Sequence, residues 1–171
     1  MHPDSDKVKI ADDLKIKWSG VFDVGDFYNR LKQWFVQEGY GDELKNFKEI
    51  KFVQRVKQTG KEIEIKWIGE KNVSDYFAYA ITITVAASQI KDVEIQRDGK
   101  KLKMNSGSLD IRLFADFVKN AKGRWKKESF MKKVYERFVV KERMDSYKLG
   151  LYQKVYGLQD YIKEYLGISK F

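Results

Sequence analysis

Apolar residues alternate one by one with polar ones over most of the first two thirds of the chain, then change to steps of three and four. Val8, Ile10, Leu14, Ile16 and Trp18 alternate with Lys and Asp, which predicts a half-buried strand interrupted at Asp12-Asp13 and ended by Gly20. Asp23 follows as a helix N-cap, with Asp26 in the first turn and Phe22 and Phe27 spaced as a hydrophobic staple. Phe27, Leu31, Trp34 and Phe35 supply the buried stripe of this short N-terminal helix, and Gly39 stops it.

The period returns to two at Phe47. Ile50, Phe52 and Val56 alternate with Lys51, Arg55 and Lys57, Thr59-Gly60 is a turn, and Ile63, Ile65 and Trp67 alternate with Glu62, Glu64 and Lys66. A second turn is expected over Gly69 to Asn72. The stretch from Tyr76 to Ile90 contains no charge, which predicts a central strand covered on both sides. One of its faces is large (Phe77, Tyr79, Ile81, Ile83, Val85), and the other is small (Ala78, Ala80, Thr82, Thr84, Ala86). Val93 and Ile95 start a further strand, Asp98-Gly99 is a hairpin turn, and Leu102 and Met104 return. Asn105 to Ser108 read as another turn before a last strand through Leu109, Ile111, Leu113, Ala115 and Phe117.

The longest element is expected from about Lys127 to Leu166. Phe130, Val134, Phe138, Met144, Tyr147, Leu151, Val155, Leu158, Ile162 and Tyr165 recur at helical spacing, which predicts an amphipathic helix with one buried face. The run Lys141-Glu142-Arg143 marks either a bend or the junction of two helices. Gly150 and Gly157 lie two turns apart on one face; they are either tolerated glycines or the place where the helix backbone lies close against a sheet. Gly167 is a C-terminal cap. The expectation is a single α+β domain over residues 1–171, with residues 1–6 flexible. A curved antiparallel sheet of about six strands packs on the long C-terminal helix, with the short N-terminal helix beside it.

Composition narrows the chemistry. The 171-residue chain has no cysteine, so disulfides and thiolate sites are excluded, and its single histidine, His2, excludes paired-histidine metal sites. No stretch approaches the ~20 apolar residues of a membrane span, and the polar N-terminus does not resemble a signal peptide, so a cytoplasmic protein is expected. Glu62 and Glu64 share a strand face as catalytic carboxylates can, but Lys61 and Lys66 flank them as in an ordinary salt-bridged surface. No phosphate-binding loop, dinucleotide fingerprint, nucleophile elbow or zincin motif is present. A non-enzymatic protein without a cofactor is the expectation.

Three stretches carry a resemblance: Phe27-Tyr-Asn-Arg-Leu-Lys-Gln-Trp-Phe with Gly39-Tyr40, Val93-Glu-Ile-Gln-Arg-Asp-Gly-Lys-Lys-Leu-Lys-Met, and Phe130 to Tyr147 followed by Tyr161 to Leu166. They resemble a set of small uncharacterised archaeal proteins from reduced-genome lineages, and the motifs are structural. The element order is similar to the helix-grip (START-like) architecture, which implies a sheet wrapped around a C-terminal helix, often enclosing an apolar ligand cavity.

Two binding functions follow. In the first, an apolar small molecule or a partner is held between sheet and C-terminal helix, at Ala80, Thr82, Thr84, Gly150 and Gly157; a filled core is the plain alternative. The second arises from charge. The chain carries a formal +9, and between Lys119 and Lys148 eleven basic residues face four acidic ones. A nucleic acid or an acidic protein surface would bind at Lys119, Lys122, Arg124, Lys126, Lys127, Lys132, Lys133 and Arg137, with Trp125 stacking on a base or lying at a lipid interface. The plain alternative is a solvated connector with Trp125 folded onto the core. A membrane-surface role requires an exposed apolar face beside the lysines, and the helical stripe is expected to be spent on the core.

Overall fold

The computed structural model describes residues 1–40 and 47–168. Its elements are β1 (Asp6–Phe22), α1 (Val24–Gln37), β2 (Phe47–Lys57), β3 (Gly60–Asn72), β4 (Phe77–Arg97), β5 (Lys100–Lys119), α2 (Phe130–Val134), a π-helical turn (Tyr135–Val139) and α3 (Lys141–Tyr165). The five strands form one antiparallel sheet in the order β1-β5-β4-β3-β2. The charge-free strand is therefore central, as its composition requires.

Side chains alternate between the two faces of the sheet, and the register carries each face across all the strands. Ile16, Ile111, Val85 and Ile65 form one row; Leu14, Leu113, Ile83 and Trp67 form the next. Both helices cover this face. α3 lies across β1, β5 and β4, burying Leu151, Val155, Leu158 and Ile162. α1 packs on β2 and β3 by setting Phe35 5.2 Å from Phe47 and 6.4 Å from Trp67. The helix starts as its sequence requires: Asp23 accepts a hydrogen bond from Asp26 N at 2.9 Å, and the Phe22 and Phe27 rings meet edge to face at 6.1 Å. The helices also meet each other, Tyr165 Oη donating to Asp26 at 2.9 Å. The Arg30 guanidinium, with that hydroxyl, lowers the pKa of the Asp26 carboxyl.

The opposite face is open. There Glu62 pairs with Lys57 at 2.7 Å and Glu64 pairs with Lys51, so these carboxylates belong to an ion-paired surface. The expectation that β4 is covered on both sides is corrected: Ala78 and Ala80 form a small cluster with Val118 and Ala121, beside Met1 and Glu70, while Thr82 and Thr84 are half-exposed.

Five strands stand where about six were expected, because β4 and β5 each absorb a break. Gln89 takes φ 55° in a bulge between Ser88 and Lys91, so β4 continues through what looked like a strand end. Asn105–Ser108 is no turn: these small residues pair with Phe22 to Ser19 of β1, and Ser108 shares a 2.8 Å hydroxyl hydrogen bond with Ser19. Gly69 to Asn72 likewise stays in β3, paired with Ile81 to Ala78. The Asp98-Gly99 turn is confirmed, with φ 50° and 74°, the two left-handed residues a tight hairpin needs. The interruption at Asp12-Asp13 is a bulge with Asp13 at φ 60°.

Candidate anion-binding surface

The chain leaves β5 at Asn120, and that residue builds the surface that follows. Asn120 is fully buried at φ 52°, a conformation in which asparagine is among the best-tolerated residues after glycine. Its side chain donates to Trp125 O at 2.6 Å and to Asp4 O at 3.0 Å, and accepts from Trp125 N at 3.1 Å. The connector is thereby folded back on itself and tied to the N-terminus, where Lys127 N also donates to Asp4 Oδ1 at 3.3 Å. Residues 1–6, expected to be flexible, are pinned by these contacts and by the start of β1.

Two ionic contacts then fix α2 and the π-helical turn. Lys132, 3 % exposed, donates to Asp6. Lys119 donates to Glu136 at 2.7 Å, and Tyr76 Oη donates to the same carboxylate at 2.8 Å. Burial and then the Glu136 carboxylate push the Tyr76 pKa up, so it remains a neutral donor. Tyr135 lies 5.1 Å from the Tyr76 ring and 6.2 Å from Trp125. The residues directed inward are thus Lys132, Tyr135, Glu136 and the buried Val140, at steps of three, one and four.

The outward residues are apolar. Phe130 is 75 % exposed, Phe138 73 %, Val139 62 % and Met131 54 %. Phe130 and Phe138 thus reverse the expectation that Phe130, Val134 and Phe138 extend the buried stripe of α3, whereas Val134 is half-buried. The physical reason is a change of phase: the π-helical turn and the break at Val140 (φ −114°) separate the two stripes, so only Met144 onward faces the sheet. The junction near Lys141 is therefore a meeting of two helical segments. The six-residue step from Phe138 to Met144 is where the pattern loses its register in the sequence.

The cations divide into two groups. Buried Lys132 and half-buried Lys119 are structural partners and leave the proposed binding set. Lys122 pairs with Asp75 at 3.0 Å, but Asp75 is fully exposed, so that contact is weak. Arg124 lies over the Trp125 and Tyr135 rings at 5.5 and 5.4 Å, and Arg137 lies over Phe138 at 5.5 Å. Lys126, Lys127, Lys133 and Arg137 are exposed and have no acidic partner among the described residues. Trp125 is half-buried against the core, with Arg124 over its ring.

The other expected site is dispersed. Tyr79 lies on the helix side of β4 and donates to Tyr147 O of α3 at 2.7 Å, so its neighbours Ala80, Thr82 and Thr84 alternate onto or beyond the opposite side. A Cβ at Gly150 would stand 2.8 Å from Tyr79 Oη, whereas one at Gly157 would meet nothing within 4 Å. Gly150 alone marks a close approach, and it approaches the large face. Ile81, Ile83, Leu113, Leu151, Val155, Leu158 and Ile162 are all 0 % exposed, so not even water touches the side chains between sheet and helix. A ligand cavity there would leave its lining accessible; the interface is filled instead.

Among the described residues there is no group of His, Cys, Asp and Glu side chains arranged to hold a metal ion, and no helix long and apolar enough to cross a membrane. No family model, curated protein or solved structure matches the chain.

Proposed function

We propose that the protein is a non-enzymatic binding module that attaches to an anionic surface through residues 122–139. The observation that carries this reading is the set of exposed cations Lys126, Lys127, Lys133 and Arg137, without an acidic partner among the described residues, on a segment locked in place by Asn120, Lys132 and Glu136. Pre-organised charge spends little conformational entropy on binding. Exposed like charges attract an anionic partner at long range and bind it in a salt-dependent way. The filled sheet–helix interface gives no support to an apolar ligand at that position.

The test is charge reversal with a matched control. Lys126→Glu, Lys127→Glu and Lys133→Glu are combined in one variant; Lys100→Glu, Lys101→Glu and Lys103→Glu at the exposed end of the β4–β5 hairpin are combined in another. Binding to heparin at moderate salt is measured for both. At about 1 kcal/mol for each surface cation, the first variant loses affinity by at least ~100-fold. The control, with the same change in net charge, loses less than ~10-fold if the site is local. Equal losses in both variants would mean that only net charge matters and would remove the reading.

A further inference from the structure

We propose that the anionic surface is a phospholipid bilayer, and that Phe130, Met131, Phe138 and Val139 enter its headgroup region while the surrounding cations meet lipid phosphates. This rests on the anion-binding reading above and specifies its partner. The argument starts from the inverted amphipathicity of residues 130–139. Their inward face carries buried Lys132 and half-buried Glu136, each paired with a residue of the sheet. Their outward face carries four large apolar side chains, each more than half exposed. Burying a lysine and half-burying a glutamate while exposing two phenylalanines is unfavourable in water. Rotating the segment to bury the phenylalanines would be the ordinary solution, and the ionic contacts of Lys132 and Glu136 hold it away from that solution.

The charges around these apolar residues select the cover. Lys126, Lys127, Lys133 and Arg137 belong to the same short stretch, and Lys141 and Arg143 follow in the first turn of α3, all exposed. Their long stems can lie along apolar surface while the charged ends stay among headgroups. Glu128 and Glu142 are exposed in the same stretch, so the six cations outnumber the acids three to one. Exposed apolar residues in a stretch with this cationic excess fit the acyl–headgroup boundary of an anionic leaflet, which supplies hydrocarbon and negative charge side by side. A second copy of this chain fits poorly, because a symmetric contact would bring the two cation sets together. A single-stranded nucleic acid could stack on Phe130 and on one face of Phe138, but it offers no hydrocarbon to Met131 and Val139, which are exposed in the same segment.

The experiment is vesicle co-sedimentation with the full chain, using zwitterionic phosphatidylcholine vesicles and vesicles in which about one third of the lipid is phosphatidylglycerol. Heparin and duplex DNA are measured in parallel. The variants are Phe130→Ser with Phe138→Ser, and the Lys126, Lys127, Lys133 reversal. Because both phenylalanines are exposed, their replacement leaves the thermal melt unchanged, which is checked first. The expected result is binding to anionic vesicles only, weakened at least ~10-fold by the double serine variant while heparin binding stays the same, and lost with heparin binding in the reversal. Three results overturn the lipid assignment: vesicle binding that ignores the phenylalanines, heparin or DNA binding without vesicle binding, and equal binding to both vesicle types. A wild-type chain that binds none of these probes would instead sink the anion-binding reading itself.

Discussion

Asn120→Ala lowers the unfolding free energy by about 3–5 kcal/mol and frees the connector from the N-terminal segment. Three hydrogen bonds end on this fully buried side chain. Truncation leaves Trp125 N, Trp125 O and Asp4 O, which are part-buried, without their partner, at about 1 kcal/mol or more for each group. Alanine also dislikes the left-handed backbone at φ 52°, adding about 1 kcal/mol. Asn120→Gly separates the two contributions, since glycine accepts the backbone and still loses the hydrogen bonds. Urea unfolding of the three proteins measures this. The expected order of stability is Asn, then Gly, then Ala; a loss under ~1 kcal/mol in Asn120→Ala would show that the connector is not held by this residue.

Asp6→Asn is expected to cost about 2–4 kcal/mol, because it leaves the Lys132 ammonium inside the protein without its counter-charge. The figure is below that of a fully buried pair because Asp6 is 26 % exposed and water offsets part of the loss. The double variant Asp6→Leu with Lys132→Met removes both charges and keeps apolar volume. It is expected to lie within ~1 kcal/mol of the wild type, since replacing a buried ion pair by packed apolar groups is often neutral. Urea midpoints of the single and double variants check this. A single variant as stable as the double would mean that the pair does not hold α2 against the sheet.

Much of this architecture is legible in the chain. Asp23 with the Phe22–Phe27 pair fixes the start of α1, Asp98-Gly99 fixes the β4–β5 hairpin, and Met144 to Tyr165 draw the buried stripe of α3. The strand count was harder to read because Gln89 adopts a left-handed conformation without being glycine. The small polar run Asn105–Ser108 resembles a turn until β1 is known to lie beside it. Strand alternation separates the faces of Tyr79 and Ala80, but it does not say which of them receives the helix; tertiary packing decides, and it chose the large face.

The binding surface was the least legible part, for a reason that concerns residues 130–139. The steps Phe130–Val134–Phe138 and Lys132–Glu136–Val140 have the same helical spacing, so periodicity alone cannot say which row faces inward. Hydrophobicity favours the first; the distant partners Asp6, Lys119 and Tyr76 enforce the second. Their separations along the chain hide them from local pattern reading. Composition located the positive charge correctly but assigned two structural lysines, Lys119 and Lys132, to the surface.

The central claim is that the apolar row of residues 130–139 faces water and the polar row faces the sheet. A chain without native cysteine permits a direct test. Single cysteines are placed at Phe130, Phe138, Val140 and Leu151, and their rates of reaction with a small water-soluble thiol reagent are compared. The expected result is fast labelling at positions 130 and 138, close to the rate of an unstructured peptide. Positions 140 and 151 are expected to be protected by at least ~100-fold, because labelling there requires local opening. Protection at 130 and 138 equal to that at 151 would contradict the account, since it would place the phenylalanines in the core and leave the proposed membrane-binding surface without its apolar residues.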